Sequence, residues 1–499
     1  MRPLRPRFAA GLLLAPLLTG CFSSGGSSAS GGSTASDGGR LRVALAFPPT
    51  QNLSPHGQDA FSLARLGISE GLTRLDANGT AAPALAESWS AEKGGLSWLF
   101  TLRDAKFQDG TEVTPAAVAA ALTRVTQAKP VPAALSGVKL TAQPAGEGRV
   151  RVTTAVPDPV LPQRLSNPTL AVFSPKAYGK GAVSPIGTAT GPFELTRVTG
   201  ATQATLNRFD DYWGGRAQAS GIDVTWTADS TARANALRTG AADIAEAIPV
   251  SQAGSLDKGT VRETPTGRTV SLSLNSSSGA FADPGLRAAA REAIDTSVLA
   301  KNVYEGKADA GQGLFGPALT WAPGKRVTPA GRAKATAPKS AAITLATYDS
   351  RPELAEAAQV LQQQLQKAGF KVKLEVREYS RIESDALGGK FDAFIGSRNT
   401  MLDTGDPVSV LTSDFTCDGP YNLAQLCDKA VDRAVARAAG ITDTAERRDA
   451  AMAAEAAILA TGAVVPLVHE QAVTGVAASV RGVLLDPYER AFVGTGTRR

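Results

Sequence analysis

The sequence predicts an α/β fold built on an open sheet, and the run from residue 343 to residue 397 predicts it most directly. Residues 343–348 form a short apolar strand. Pro352 then stands at a helix start, and Leu354, Ala358, Leu361, Leu365 and Ala368 follow at 3.6-residue spacing until Gly369 ends the pattern. Phe370, Val372, Leu374 and Val376 alternate with Lys371, Lys373, Glu375 and Arg377, the mark of a strand with one wetter face. Residues 391–395 are another short buried strand, so the whole segment consists of β-α-β units.

The rest of the chain follows the same alternation. Residues 41–47 are an opening strand, and residues 61–75 are largely helical by spacing. The strand at 98–102 leads to Asp109-Gly110, a turn signal. Thr114-Pro115 caps and opens an Ala-rich helix through Val125. Asp283-Pro284 opens a helix ending near Ala293, Asp295-Thr-Ser caps the next, and a long helix is expected over 442–460. There is no fixed-period repeat.

In open α/β sheets ligands bind beyond the carboxyl ends of the strands. Tyr348, Tyr379 and the loop 400–407 land there, which puts two aromatics and a carboxylate on one rim. Asp403, between apolar neighbours, is expected as a lone anion suited to a bound ammonium. Asp406-Pro407 is a turn, and the loop lacks the alternating oxygen ligands of a calcium site.

Two further patterns carry little. Gly67-Ile-Ser-Glu-Gly71 matches a nucleophile elbow, and His469 could complete a triad, but Ser69 follows helical spacing where an elbow needs a strand. Gly311-Gln-Gly313-Leu-Phe-Gly316 matches a dinucleotide fingerprint, yet no strand precedes it and Pro317 follows it. No phosphate loop of an ATP-hydrolysing protein is present.

The N-terminus has export character. Arg2, Arg5 and Arg7 precede an apolar run over 8–18 of signal-peptide length, too short to span a bilayer. Leu18-Thr-Gly-Cys21 resembles a bacterial lipobox, which makes residues 1–20 a lipoprotein signal and Cys21 the acylated first residue of the mature chain. Acyl chains hold a protein to membrane by about 0.8 kcal/mol per buried CH₂. Residues 22–39, nearly all Ser and Gly, are a tether with an end-to-end distance on the order of 25 Å. The remaining body is too long for one hydrophobic core and contains no further spanning segment.

The formal charge of +6 includes the three leader arginines and is too small and dispersed to argue for nucleic acid. Besides Cys21 there are only Cys417 and Cys427, which in an exported chain favour a short disulfide loop. A metal site would need more soft ligands than His56 and His469, and neither has zinc-type spacing.

Six stretches, taken in order, carry a resemblance: "EGLTRLDANGTAAPALAESW", "FTLRDAKFQDGTEVTPAAV", "GTATGPFEL" with "NRFDDYWGG", "ALRTGAADIAEAIP", "LRAAAREAIDTSVLAKNVYEG" and "VVPLV". The chain resembles the family 5 solute-binding proteins, the extracytoplasmic receptors of peptide and nickel ABC importers. The resemblance implies a two-lobed, type II periplasmic-binding-protein-like body that closes by a hinge on a solute held between the lobes. Lobe one, enlarged by an extra subdomain, is expected over 40–272 with 470–499 returning to it, and lobe two over 273–469. It implies a monomer with no enzymatic activity and no cofactor or metal, which hands its solute to a permease driven by ATPases.

"TMLDTGDP" resembles the family's W-x-x-D-x-x-D-P loop. Asp403 stands where the family pairs with a peptide's α-ammonium, and Thr400 replaces the aromatic. Tyr379 keeps an aromatic where dipeptide binders stack a Trp. Tyr348 stands where they carry a carboxylate-clamping Arg, which a phenol cannot replace. An oligopeptide is therefore the expected solute, with a non-peptide (a nickel chelate, a sugar or an amine metabolite) as the alternative.

Overall fold

The structure is a computed structural model that describes residues 38–179 and 182–499. The signal peptide, Cys21 and nearly all of the tether lie outside the described residues.

Among the described residues, eleven strands form one mixed sheet. Its order runs from the edge strand Lys371–Arg377 through Ala342–Tyr348 and Ala393–Asn399 to Val261–Leu274 and Val464–Val476, and then through Ile244–Ala245, Leu41–Leu45, Gly221–Trp226 and Gln203–Arg208 to Phe193–Thr199. Ala308–Ala310 pairs with Val464–Val476 off this path. The β-α-β units are present: Ala342–Tyr348 pairs in parallel with both Lys371–Arg377 and Ala393–Asn399, and the helix Pro352–Lys367 buries Leu354, Ala358, Leu361 and Leu365 between them.

The two long central strands join the halves of this sheet. Residues 261–265 pair antiparallel with 471–475 and residues 269–273 with 464–469, and the register shifts between Pro265 and Thr269. Proline has no N–H to give a ladder, so a break there is where the chain can bend. Thr266 and Gly267 fill the break: the Gly267 amide donates to Pro487 O at 2.9 Å, and its carbonyl accepts from the Thr400 amide at 2.9 Å.

Each half has its own core. One gathers Leu272, Leu345, Leu361 and Ile395, and a second gathers Leu41, Val224, Phe193 and Val493. Helices Pro407–Phe415, Lys429–Gly440 and Thr444–Ala460 make a third. The extra subdomain is a four-stranded antiparallel sheet, Ala86–Glu92, Ser97–Leu102, Arg149–Thr154 and Leu140–Pro144, packed against the helix Pro115–Thr126. Thr114 caps that helix by accepting from the Ala117 amide at 3.2 Å.

One sequence expectation is corrected. The helical spacing over 61–75 gives only the helix Asp59–Arg65, because Gly67 turns with φ +68° and the chain then runs extended into the strand Thr73–Leu75.

Candidate functional site

At the break in the long strands lies a cleft of about 510 Å³. Its walls come from the end of Leu41–Leu45, from the loop after Ile244–Ala245, from residues 349–353 after Ala342–Tyr348, from both long strands and from residues 484–492. This is the carboxyl-end geometry in which open sheets hold ligands.

Charged pairs cross the cleft wall. Arg268 Nε donates to Glu489 at 2.8 Å, and Asn399 Nδ2 donates to the same oxygen at 2.7 Å. Arg65 pairs with Glu246, and Arg351 lies 3.7 Å from Glu470. Glu470 also accepts from Ser397 Oγ at 2.5 Å. Burial alone would raise the Glu489 pKa, but Arg268 and Arg351 outweigh it and hold that carboxyl down at about 2. Glu353 goes the other way: burial raises its pKa, and the nearby charge of Glu470 adds to the rise.

Beside the cleft is a smaller pocket lined by Tyr348, Ser397, Arg398, Thr400, Asp414 and Tyr421, among others. The four ligand residues expected from sequence come together around it. Tyr348 is 6 % exposed, accepts from the Ser397 amide at 3.2 Å and meets the Tyr379 ring edge-on at 4.9 Å. Tyr379 opens the helix Tyr379–Leu387, and its hydroxyl lies 2.8 Å from that of Tyr421. Thr400 is buried, and its hydroxyl donates to Gly267 O at 3.1 Å, so it ties this pocket to the strand break.

Asp403 is not a lone anion. Arg398 Nη2 donates to its carboxylate at 3.0 Å, while Arg398 Nε donates to Asp414 at 2.9 Å. The guanidinium also lies over the Tyr421 ring, 4.9 Å from its centroid. Burial works against the Arg398 charge, and the two carboxylates outweigh it and raise its pKa. The Asp403 loop is held by side chains from distant segments: Arg490 Nη2 donates to Met401 O at 3.0 Å and to Leu402 O at 2.7 Å, and Asn167 Nδ2 donates to Leu402 O at 3.2 Å and to Asp403 O.

Asp406 is more than a turn residue. Arg447 grips its carboxylate at 2.9 and 2.7 Å, with both side chains buried. Cys417 and Cys427 are disulfide-bonded. Among the described residues, no group of three His, Cys, Asp or Glu side chains could hold a metal ion.

The two discounted motifs have structural uses. His469 lies against Thr269, with Nδ1 2.9 Å from the Thr269 hydroxyl, and it makes no bond to Ser69, which is buried. Gly311 and Gly316 allow their loop to lie close on the strand Val464–Val476, where a Cβ would come within 2.6 Å of Pro466 and 2.8 Å of His469. Glu455 accepts from the Leu314 and Phe315 amides of that loop at 2.5 and 3.2 Å.

Sequence reasoning misses Arg398, Asp414, Tyr421, Arg351, Glu470 and Glu489. Arg398 was the one with a local signal, a charged residue at the end of a buried strand. The others are joined only by the fold.

The description "Bacterial extracellular solute-binding proteins, family 5 Middle" matches residues 80–422. The chain belongs to this family. The glutathione-binding protein GsiB of Escherichia coli O1:K1 is 28 % identical over 448 residues, covering 84 % of this chain and 86 % of that protein. Among solved structures, NikA from Brucella suis in complex with Fe(III)-EDTA superposes with a TM-score of 0.78 at 24 % identity, covering 91 % of this chain and 99 % of that one. DppA from Helicobacter pylori in complex with the peptide STSA gives 0.73 at 21 % identity, covering 92 % and 99 %. The fold is therefore the two-lobed one of the family 5 binding proteins. Relatives of this kind are extracytoplasmic solute-binding components of ABC importers. Among the described residues, no helix is long and apolar enough to cross a membrane.

Proposed function

We propose that this family 5 protein is a lipid-anchored receptor that captures an oligopeptide by hinge closure and delivers it to an ABC permease. The observation that carries the reading is the 510 Å³ cleft at the strand break, walled by charged side chains and joined through Ser397 and Glu470 to the tyrosine pocket beside Asp403. Extended peptides are held by main-chain hydrogen bonds with pockets for side chains, and a cleft at an interrupted strand pair offers both. Closure excludes water and so strengthens the contact between a ligand ammonium and Asp403. The lobes in this reading are 40–272 with 470–499, and 273–469, with Cys21 as the anchor, residues 22–39 as the tether, and a monomer without catalytic residues as the working form.

A second reading is a non-peptide solute in the same cleft, such as a nickel chelate, a sugar or an amine metabolite. It is favoured by Asp403 already pairing with Arg398, and by Tyr348 supplying no cation for a peptide carboxylate. Calorimetric titration separates the two. The peptide Ser-Thr-Ser-Ala and its N-acetylated form are added to the wild type and to Asp403→Asn. One-to-one binding that weakens by roughly 1.5–3 kcal/mol on acetylation and in Asp403→Asn is expected. No binding of either form moves the assignment to the second reading.

A further inference from the structure

We propose that the solute this cleft selects is a net cation. The inference rests on the cleft being the solute site, and it names the chemical class that the site takes.

Seven carboxylates line the cleft against four guanidinium groups, in a chain whose overall charge is positive. The guanidinium groups are already committed. Arg65, Arg268 and Arg351 face Glu246, Glu489 and Glu470, and Arg233 donates to the carbonyls of Thr227, Ala228, Glu246 and Ala247 at 2.7–2.9 Å. An anionic solute would therefore compete with these carboxylates and carbonyls for the same guanidinium groups.

The carboxylates are in excess. Asp229 and Asp486 accept from backbone amides and face no side-chain cation within ion-pair distance among the described residues. Glu353, in the first turn of the helix Pro352–Lys367, is half-buried near Glu470 and has no side-chain cation within ion-pair distance among the described residues. The neighbouring pocket has the same sign, since one Arg398 faces both Asp403 and Asp414. Its rings already accommodate one cation, with the Arg398 guanidinium over Tyr421.

A cleft whose lining carries an excess of one sign between low-dielectric walls focuses its field and enriches the opposite charge, while like charge is disfavoured. Phe47, Leu484 and Leu485 line the same cleft and are 53 %, 41 % and 37 % exposed. They offer apolar surface for the methylene stem of a basic side chain or a polyamine.

The test is calorimetric titration of the wild-type protein at about 20 mM and about 500 mM salt. The probes are Ser-Lys-Ser-Ala, Ser-Thr-Ser-Ala, Ser-Glu-Ser-Ala, spermidine and citrate. The expected result is that the lysine peptide binds at least about tenfold more tightly than the glutamate peptide, that the gap narrows at high salt, and that Glu353→Gln narrows it too. Spermidine binding without any peptide would support the cationic class while ending the peptide reading. The glutamate peptide or citrate binding as tightly as the cations, or no probe binding at all, would overturn the proposal.

Discussion

Arg398 holds Asp403 at 3.0 Å and Asp414 at 2.9 Å, so one guanidinium orients the carboxylate expected to meet the solute and neutralises one that is buried. Asp414 is only 7 % exposed, and burial raises its pKa even with Arg398 beside it. Breaking a buried pair by removing one partner costs about 3–5 kcal/mol, because the other charge is stranded. Arg398→Met should therefore lower the unfolding free energy by about that much, and Arg398→Met with Asp414→Asn by clearly less. Denaturant titration of both variants checks this, and equal losses would show that the pair is not coupled.

The Asp406–Arg447 pair should be as costly to break. Arg447 also donates through Nη1 to Ala438, Ala439 and Ile441 carbonyls at 2.8–3.0 Å, so it ties the end of the helix Lys429–Gly440 to the start of Pro407–Phe415. Arg447→Met is expected to cost about 3–5 kcal/mol, and because neither Arg447 nor Asp406 lines the cleft, solute affinity is expected to be unchanged for whatever protein remains folded. A drop in affinity at full folding would mean that this pair reaches the site.

The Cys417–Cys427 bridge closes a loop with a sequence separation of 10. Chain-entropy arguments give about 2–3 kcal/mol for a loop of that length. The double Ala variant should lose that much in denaturant titration, and reduced wild type should match it. No loss would mean that the loop is equally confined without the bond.

His469 makes stability depend on pH. Thr269 Oγ1 donates to Leu314 O at 2.8 Å and so accepts from His469 Nδ1–H, while His469 Nε2 accepts from the Gln312 amide at 3.4 Å. Burial, with Arg326 nearby, lowers the histidine pKa to about 4. The unfolded chain takes up the proton near pH 6.5 and the folded chain does not. This contribution is fully present above about pH 6.5 and is lost as pH falls toward 4, by about 2–3 kcal/mol. The wild-type stability curve should fall relative to His469→Gln across that window. Parallel curves would show an ordinary histidine.

Local pattern is what makes the sequence legible. Thr114, Asp283 and Pro352 mark helix starts that the structure has, and the alternation over 370–376 gives an edge strand at its place. The strand Val261–Leu274 is not legible, because Pro265, Gly267 and its Thr, Ser and Arg residues blur the alternation; its partner Val464–Val476 lies some two hundred residues away. The site divides along the same line. Tyr348, Tyr379, Thr400 and Asp403 sit at strand ends that can be read in order, whereas the Arg268–Glu489 and Arg351–Glu470 pairs exist only once distant segments meet. The Asp403 charge itself is readable, and so is a charge at Arg398 near the end of the strand Ala393–Asn399, but the pairing of the two is a contact of the folded chain.

The central claim is that the cleft binds and carries a solute, and native mass spectrometry of the chain from Arg40 onward, purified from its own cells, tests it most directly. The account predicts a bound mass that leaves on mild activation and resolves into short peptides, enriched in basic residues. A protein that is empty as purified, and whose mass does not change on incubation with peptides or with small cationic solutes, would contradict it.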